Sequence, residues 1–185
     1  MTKMLAVVVL LTLLGAGATI AKDTPLSPYA GVEKRDIKAL SSEEIAAYLE
    51  GKGMGLAKAA ELNHYPGPAH VLALANELAL TPDQRARTET LLKSMQIEAV
   101  SLGTQLIERE RELDGMFAGK SITQEKLQQS LEAIASLQGR IRQVHLQTHL
   151  AQVETLLPEQ IRTYDELRGY SKAANSAHPA HPQQH

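Results

Sequence analysis

His145 and His149 are the two residues whose type and spacing are best suited to chemistry. Two side chains four residues apart on a helix lie on the same face and can share one metal ion. The spacing matches the zinc-protease motif H-E-x-x-H, in which the glutamate is the general base. Leu146 stands where that glutamate is required. The pattern therefore argues against metalloprotease chemistry and leaves a non-catalytic metal site as the hypothesis.

Such a site needs a third ligand, and none is obvious nearby in the sequence. Glu154, His64 or His70 would have to approach the pair in the folded chain. The competing interpretation, which we favour from the sequence, is that both histidines lie at the edge of a packed stripe. They would then sit between Val144 and Leu146 and hydrogen-bond locally.

A second group of histidines lies in the C-terminal tail, residues 171–185, which is rich in Ala, Pro, Gln and His and has no apolar pattern. We predict that this tail is disordered. His178, His181 and His185 could bind a transition metal loosely. The alternative is that they belong to a solvated end with no function.

The remaining sequence indicates a non-enzyme. The glycines of residues 51–55 follow a predicted helix, whereas a phosphate-binding loop follows a strand. No G-x-S-x-G nucleophile elbow occurs. The chain has no cysteine, so disulfides and thiolate ligands are excluded. Its 19 basic and 21 acidic residues are interleaved, which predicts no nucleic-acid partner.

The N-terminus has the layout of a secretory signal peptide. Lys3 precedes an apolar run over residues 4–14, and A-x-A cleavage sites follow at residues 16–18 and 19–21. The alternative is an uncleaved anchor, but the run is shorter than the ~20 apolar residues that span a bilayer. We therefore predict removal of residues 1–21, a periplasmic location and no stable membrane insertion afterwards.

Helix-start signals recur along the chain. Ser41 with Glu44, and Thr81 with Gln84, have the spacing of a capping box, and Pro82 suits the first helical position. Ser121 with Gln124 is predicted to form a third box. We also predict an extended lead-in over residues 22–40 and short helices over 42–50, 54–62 and 68–78.

Two long helices should follow. The first has a seam with an average step of about 3.5 residues, formed by Thr88, Leu91, Met95, Ala99, Leu102, Leu106, Arg109, Leu113 and Met116. The second has one stripe at Leu127, Leu131, Ile134, Leu137, Ile141 and Val144, and another at Leu146, Leu150, Val153 and Leu157. The second stripe predicts that another segment covers the end of this helix, which Pro158 should terminate.

The short connection after Gly119 forces the two long helices to run antiparallel. The predicted fold is all-α, a long antiparallel α-hairpin with short N-terminal helices and a short C-terminal helix over residues 159–168. The helical domain spans residues 41–170. Because two helices cannot bury both faces of a hairpin, the N-terminal helices, a second subunit or both must cover the rest.

Two short motifs resemble those of the Spy/CpxP family of periplasmic chaperones and stress proteins. Leu80-Thr81-x-x-Gln84 matches the LTxxQ motif of that family, and Leu156-Leu157-Pro158-Glu159-Gln160 stands where a second copy is expected. Leu157 replaces the threonine of the second copy and so removes its capping hydroxyl. The resemblance covers residues 71–170. Residues 29–68 look like a lead-in found in envelope proteins labelled as heavy-metal sensors.

The resemblance implies a homodimeric helical cradle that holds unfolded or misfolded envelope proteins without ATP or a required cofactor. ZraP-like and CnrX-like relatives bind Zn²⁺ or other divalent metals, which implies the alternative of a heavy-metal-binding sensor or resistance protein using His145 and His149. A third hypothesis is a structural helical module that only pairs with another envelope protein. We rank the three in this order.

Overall fold

The computed structural model describes residues 27–171, so the predicted signal peptide and the tail histidines His178, His181 and His185 lie outside it. The described part contains no strand and confirms the all-α prediction. Its helices are α1 (Ser42–Leu49), α2 (Lys58–Glu61), α3 (Pro68–Ala73), α4 (Pro82–Ala118), α5 (Gln124–Thr155) and α6 (Pro158–Arg168). None of these helices is both long and apolar enough to cross a membrane.

Helices α4 and α5 form the predicted antiparallel hairpin. Its core is one cluster of buried apolar side chains from both helices, namely Leu102, Leu106, Ile134, Leu137, Ile141 and Val144. Most of the predicted α4 seam is buried or half-buried, whereas Arg109 is exposed. Leu131, predicted to lie in the α5 stripe, is also exposed. The apolar period therefore predicts the interface along most of its length.

The first two predicted helix starts are confirmed, and the third is wrong. Ser41 Oγ accepts from the Glu44 N–H at 3.1 Å, and Thr81 Oγ1 accepts from the Gln84 N–H at 3.1 Å. In both boxes, the side chain of the third helical residue also accepts from the backbone N–H of the cap residue. Helix α5 is capped by Thr123 instead of Ser121, because Thr123 sits directly before its first helical residue.

Several boundaries differ from the sequence prediction. The two short helices before α4 are shorter than predicted because turns occupy residues 54–57 and 74–79. Helix α5 ends at Thr155, and Pro158 is the first residue of α6. The lead-in is not simply extended. It contains turns and a short 3₁₀ helix, and it buries Ile37 completely against Leu40 and Ile107.

The second stripe of α5 is not covered as predicted. Leu150 and Leu157 are about half exposed. The buried side of this part of α5 is polar instead and consists of His145, Thr148, His149 and Gln152. The segment that covers the helix contacts these polar residues, since Gly67 lies directly against the His149 ring.

The glutamines of the two motif copies meet and hydrogen-bond to each other. Gln84 Nε2 donates to Gln160 Oε1 at 2.8 Å, and Gln160 Nε2 donates to Gln84 Oε1 at 3.1 Å. Their amides also donate to the carbonyls of Thr155 and Leu78. Leu157 has no side-chain oxygen, so only one half of the capping box remains, in which its N–H donates to Gln160 Oε1 at 2.8 Å. One amide pair thus joins the start of α4, the end of α5 and the start of α6.

Helix α1 approaches α4 closely at a glycine. A Cβ at Gly103 would lie 2.7 Å from the backbone oxygen of Tyr48. Backbone cannot yield as the end of a flexible side chain can, so this contact requires the absence of a side chain. Gly139 on α5 differs, because a Cβ there would meet nothing within 4 Å.

We therefore expect opposite effects from two glycine-to-alanine substitutions. Gly103→Ala should destabilise the protein by about 2 kcal/mol, because overpacking at the α1–α4 contact outweighs the helix propensity of alanine. Gly139→Ala should stabilise it by up to about 1 kcal/mol, because only helix propensity acts there. Urea unfolding followed by circular dichroism measures both. Equal stability of the two variants would contradict the close contact.

Candidate functional site

A cavity of about 460 Å³ brings the sequence-predicted histidines together with residues from five parts of the chain. Its walls come from the turn after α1, from α2, from the start of α3, and from one side of α4 and of α5. His145 and His149 form part of its wall, and His70 from α3 and Glu61 from α2 also line it. The volume is in the range of small-ligand sites.

His149 is held in a defined tautomer. Its Nδ1 lies 2.7 Å from the backbone oxygen of Tyr65, and a carbonyl oxygen can only accept, so Nδ1 carries the hydrogen. The neutral ring then has its lone pair on Nε2. A Cβ at Gly67 would lie 2.9 Å from that Nε2, so the glycine provides the space in which the ring sits. An imidazole fixed by a carbonyl on one nitrogen is the usual arrangement of a metal-binding histidine.

His145 is almost fully buried, at 3% exposure, and lacks the hydrogen bonds that burial normally requires. Its Nε2 has no hydrogen-bond partner among the described residues. Burial lowers the pKa of His145, and the neighbouring charge of His149 lowers it further. The ring is therefore neutral near pH 7. A buried polar group without a partner costs about 1–3 kcal/mol, and Gln152 Oε1 and Asp165 Oδ1 are in the same situation among the described residues.

Glu61 connects the cavity to the C-terminal helix. Its Oε1 accepts from the hydroxyls of Tyr164 at 2.5 Å and Tyr170 at 3.0 Å. Its Oε2 accepts from the Gly67 N–H at 3.2 Å and lies 3.8 Å from His149 Nδ1. Burial and the bond to Glu61 raise the pKa of Tyr164. This carboxylate therefore holds α6 and the Gly67 turn in place beside His149.

His70 lies at the solvent-exposed side of the cavity. Its pKa is lowered by burial and by the charges of Arg168 and His149, while Glu61 acts in the opposite direction. Of the three proposed third ligands, His70 is the one that lines the same cavity as the pair. His64 instead contacts Asp165 Oδ2 at 2.7 Å, and Glu154 is exposed on α5.

The histidines share a cavity but do not form a closed coordination shell. Between residues 27 and 171, no three His, Asp or Glu side chains are close enough together to hold a metal ion. The local-packing interpretation does not describe them either, since the partner of His149 is 84 residues away in sequence.

Sequence reasoning missed several residues of the site. Met54 and Met95 line the cavity, and Glu61, Tyr164 and Tyr170 form the carboxylate cluster beside it. Glu61 lies in a four-residue helix, too short for a periodic signal. The glycines around Met54 are a visible signal, but their position after a helix only argues against a phosphate-binding loop and does not point to this cavity.

Comparison of the chain with protein-family models, with curated proteins and with solved structures finds no match. The Spy/CpxP resemblance therefore stays a prediction based on the two motifs and the order of elements.

The lowered pKa of His145 predicts that acid destabilises the fold. The unfolded chain binds a proton near pH 6.5, whereas the folded chain binds it only at lower pH. The unfolded state thus holds more protons in this window, and the free energy of unfolding falls as pH decreases. Urea unfolding at about pH 7.5 and 5.5 should show a smaller decrease for His145→Gln than for the parent protein.

Thr148→Val is the matched control, since Thr148 is buried on the same part of α5 and does not titrate. Its effect on stability should be the same at both pH values. An undiminished pH dependence in His145→Gln would contradict the assignment.

Proposed function

We propose that the protein is an ATP-independent holdase of the Spy/CpxP type, which binds unfolding proteins in the periplasm and performs no catalysis. The observation that carries this proposal is a set of large apolar side chains on exposed positions of the hairpin. Ile97 is 63% exposed, Phe117 and Leu150 are each 54% exposed, and Leu131 is 49% exposed. Such side chains offer apolar contact area to the apolar segments of an unfolded chain.

Charged residues accompany these apolar positions. Lys93 lies one helical turn before Ile97, and Glu154 lies one turn after Leu150. Residues at this spacing are neighbours on a helix surface. Charge of both signs beside isolated apolar side chains suits weak, reversible capture of varied clients.

The architecture gives further support. A long α-hairpin with an LTxxQ motif at its start and a related motif at its end is what the resemblance predicts, and the glutamines of both motifs pair. The periplasmic location rests on the N-terminal signal pattern alone. The homodimer implied by the resemblance remains part of the proposal.

Substitution of the four apolar residues should remove the activity. The protein carrying Ile97→Ser, Phe117→Ser, Leu131→Ser and Leu150→Ser should bind clients about tenfold or more weakly, because each lost contact removes apolar area from the complex. The measurement is light scattering of a disulfide-bonded client that aggregates on reduction. The reductant does not affect this cysteine-free chain.

The matched control replaces exposed polar residues of the same helices with serine, at Gln105, Gln128, Gln143 and Gln147. This variant should suppress aggregation as well as the parent protein. The holdase proposal fails if the apolar variant, shown to be folded by circular dichroism, is equally active.

A second function, binding of a transition metal, is favoured by the histidine cavity. The Nε2 atom of His145 is buried and has no hydrogen-bond partner among the described residues. Because Nδ1 of His149 is bonded to the Tyr65 carbonyl, the lone pair on its Nε2 is left to bind a metal ion. His70 is exposed, and exposed side chains change rotamer on the picosecond to nanosecond timescale. Its ring is therefore the mobile third ligand that this proposal needs.

Zinc titration by calorimetry tests the second function. The full chain should carry His178→Ala, His181→Ala and His185→Ala, so that the tail does not contribute. In this background His145→Ala with His149→Ala should lower the Zn²⁺ affinity by roughly a hundredfold or more. His64→Ala should not lower it, because His64 contacts Asp165. Unchanged affinity in the double variant would exclude the cavity as the site.

A further inference from the structure

Two methionines line the same cavity as the histidines. Met95 enters from α4, and Met54 enters from the glycine-rich turn after α1. Met95 also packs against the hairpin core, so its position has a structural explanation. Met54 has none of this kind, because it is 41% exposed and does not belong to any of the apolar clusters of the described residues.

The backbone at Met54 is in an unfavourable conformation. Its φ is 42°, in the left-handed region that costs residues with a side chain about 1–2 kcal/mol. Gly53 and Gly55 flank it, although glycine would suit this position better. A strained residue that is exposed and contributes little packing indicates a functional constraint. Here the strained turn presents a thioether at the cavity.

The carboxylates of the cavity wall are already engaged. Glu61 accepts hydrogen bonds from Tyr164, Tyr170 and the Gly67 N–H. Glu50 pairs with Lys52 at 2.6 Å. The donors left for a ligand are therefore neutral imidazole nitrogens and neutral thioether sulfurs.

This donor set favours one class of ion. Thioether ligands select soft ions such as Cu(I), whereas hard divalent ions prefer oxygen ligands. His145 supplies a second, independent observation, since it is buried at 3% exposure and its Nε2 has no partner within residues 27–171.

We propose that the cavity binds a soft monovalent metal ion, Cu(I) or Ag(I), through the sulfurs of Met54 and Met95 and the imidazoles of His145 and His149. This inference rests on the second proposed function, metal binding at the histidine cavity, and specifies the ion that the cavity takes. It is independent of the holdase proposal.

Silver is the practical probe, because Ag(I) does not change oxidation state during a titration. The full chain with the three tail histidines replaced by alanine is titrated with silver nitrate and, separately, with zinc sulfate. Met54→Leu with Met95→Leu replaces both sulfurs by side chains of similar volume. This double variant should bind Ag(I) about tenfold or more weakly and should keep its Zn²⁺ affinity.

A spectroscopic measurement identifies the ligands directly. In protein labelled with ¹³C at the methionine methyl groups, Ag(I) should shift the resonances of Met54 and Met95. Met116, near the far end of α4, should not shift and serves as the internal control. Met116→Leu should likewise leave the Ag(I) affinity unchanged.

The outcomes separate this inference from the function on which it rests. Histidine-dependent Zn²⁺ binding without silver-induced methyl shifts would overturn the soft-ion assignment and leave the metal-binding function standing. Absence of binding by both ions would overturn both. Silver binding that persists in the Met54→Leu, Met95→Leu variant would also overturn the assignment, because the sulfurs would not be ligands.

Discussion

The reciprocal hydrogen bonds between the Gln84 and Gln160 side chains are the constraint on which the open end of this hairpin depends. A side-chain amide has one acceptor oxygen and two N–H donors. The oxygen of each glutamine accepts from the opposite amide and also from the backbone N–H of the residue that caps its own helix, Thr81 or Leu157. The remaining donors reach the carbonyls of Thr155 and Leu78. Because both amides are satisfied in this one arrangement, the two helix starts and the end of α5 are fixed relative to each other.

The position of α6 then determines what surrounds the histidine cavity. With its first turn fixed by Gln160, α6 places Tyr164 where its hydroxyl reaches Glu61. Glu61 in turn holds the Gly67 turn against the His149 ring. A chain of specific polar contacts thus runs from the second motif copy to the cavity. It gives the motif a structural role that is separate from any contact with clients, and it links the hairpin scaffold to the proposed metal site.

Local signals in the sequence predicted the helical scaffold. The features that the sequence could not predict depend on contacts between residues that are far apart in the chain. The caps at Ser41 and Thr81 are encoded within four residues, and the α4–α5 interface follows a period, so both could be read directly. The start of α5 was misassigned because Ser121 and Thr123 are both good caps, and only the path of the connection decides between them. The contacts of Glu61 with Tyr164 and Tyr170 span more than 100 residues, and no single-sequence pattern encodes them.

The side of α5 that is buried near its C-terminal end, where the prediction was wrong, also bears on function. A helix that only needs to pack would bury Leu150 and expose its histidines, yet this helix does the reverse. Thr148 recovers the cost of burial through a hydrogen bond to Val144 O. Gln152 donates to Thr88 Oγ1, but its Oε1 has no partner among the described residues. His149 recovers it through Tyr65 O, but His145 Nε2 does not. An apolar side chain at residue 145 would remove this cost, and so would a ligand that uses the nitrogen, as the proposed metal site requires.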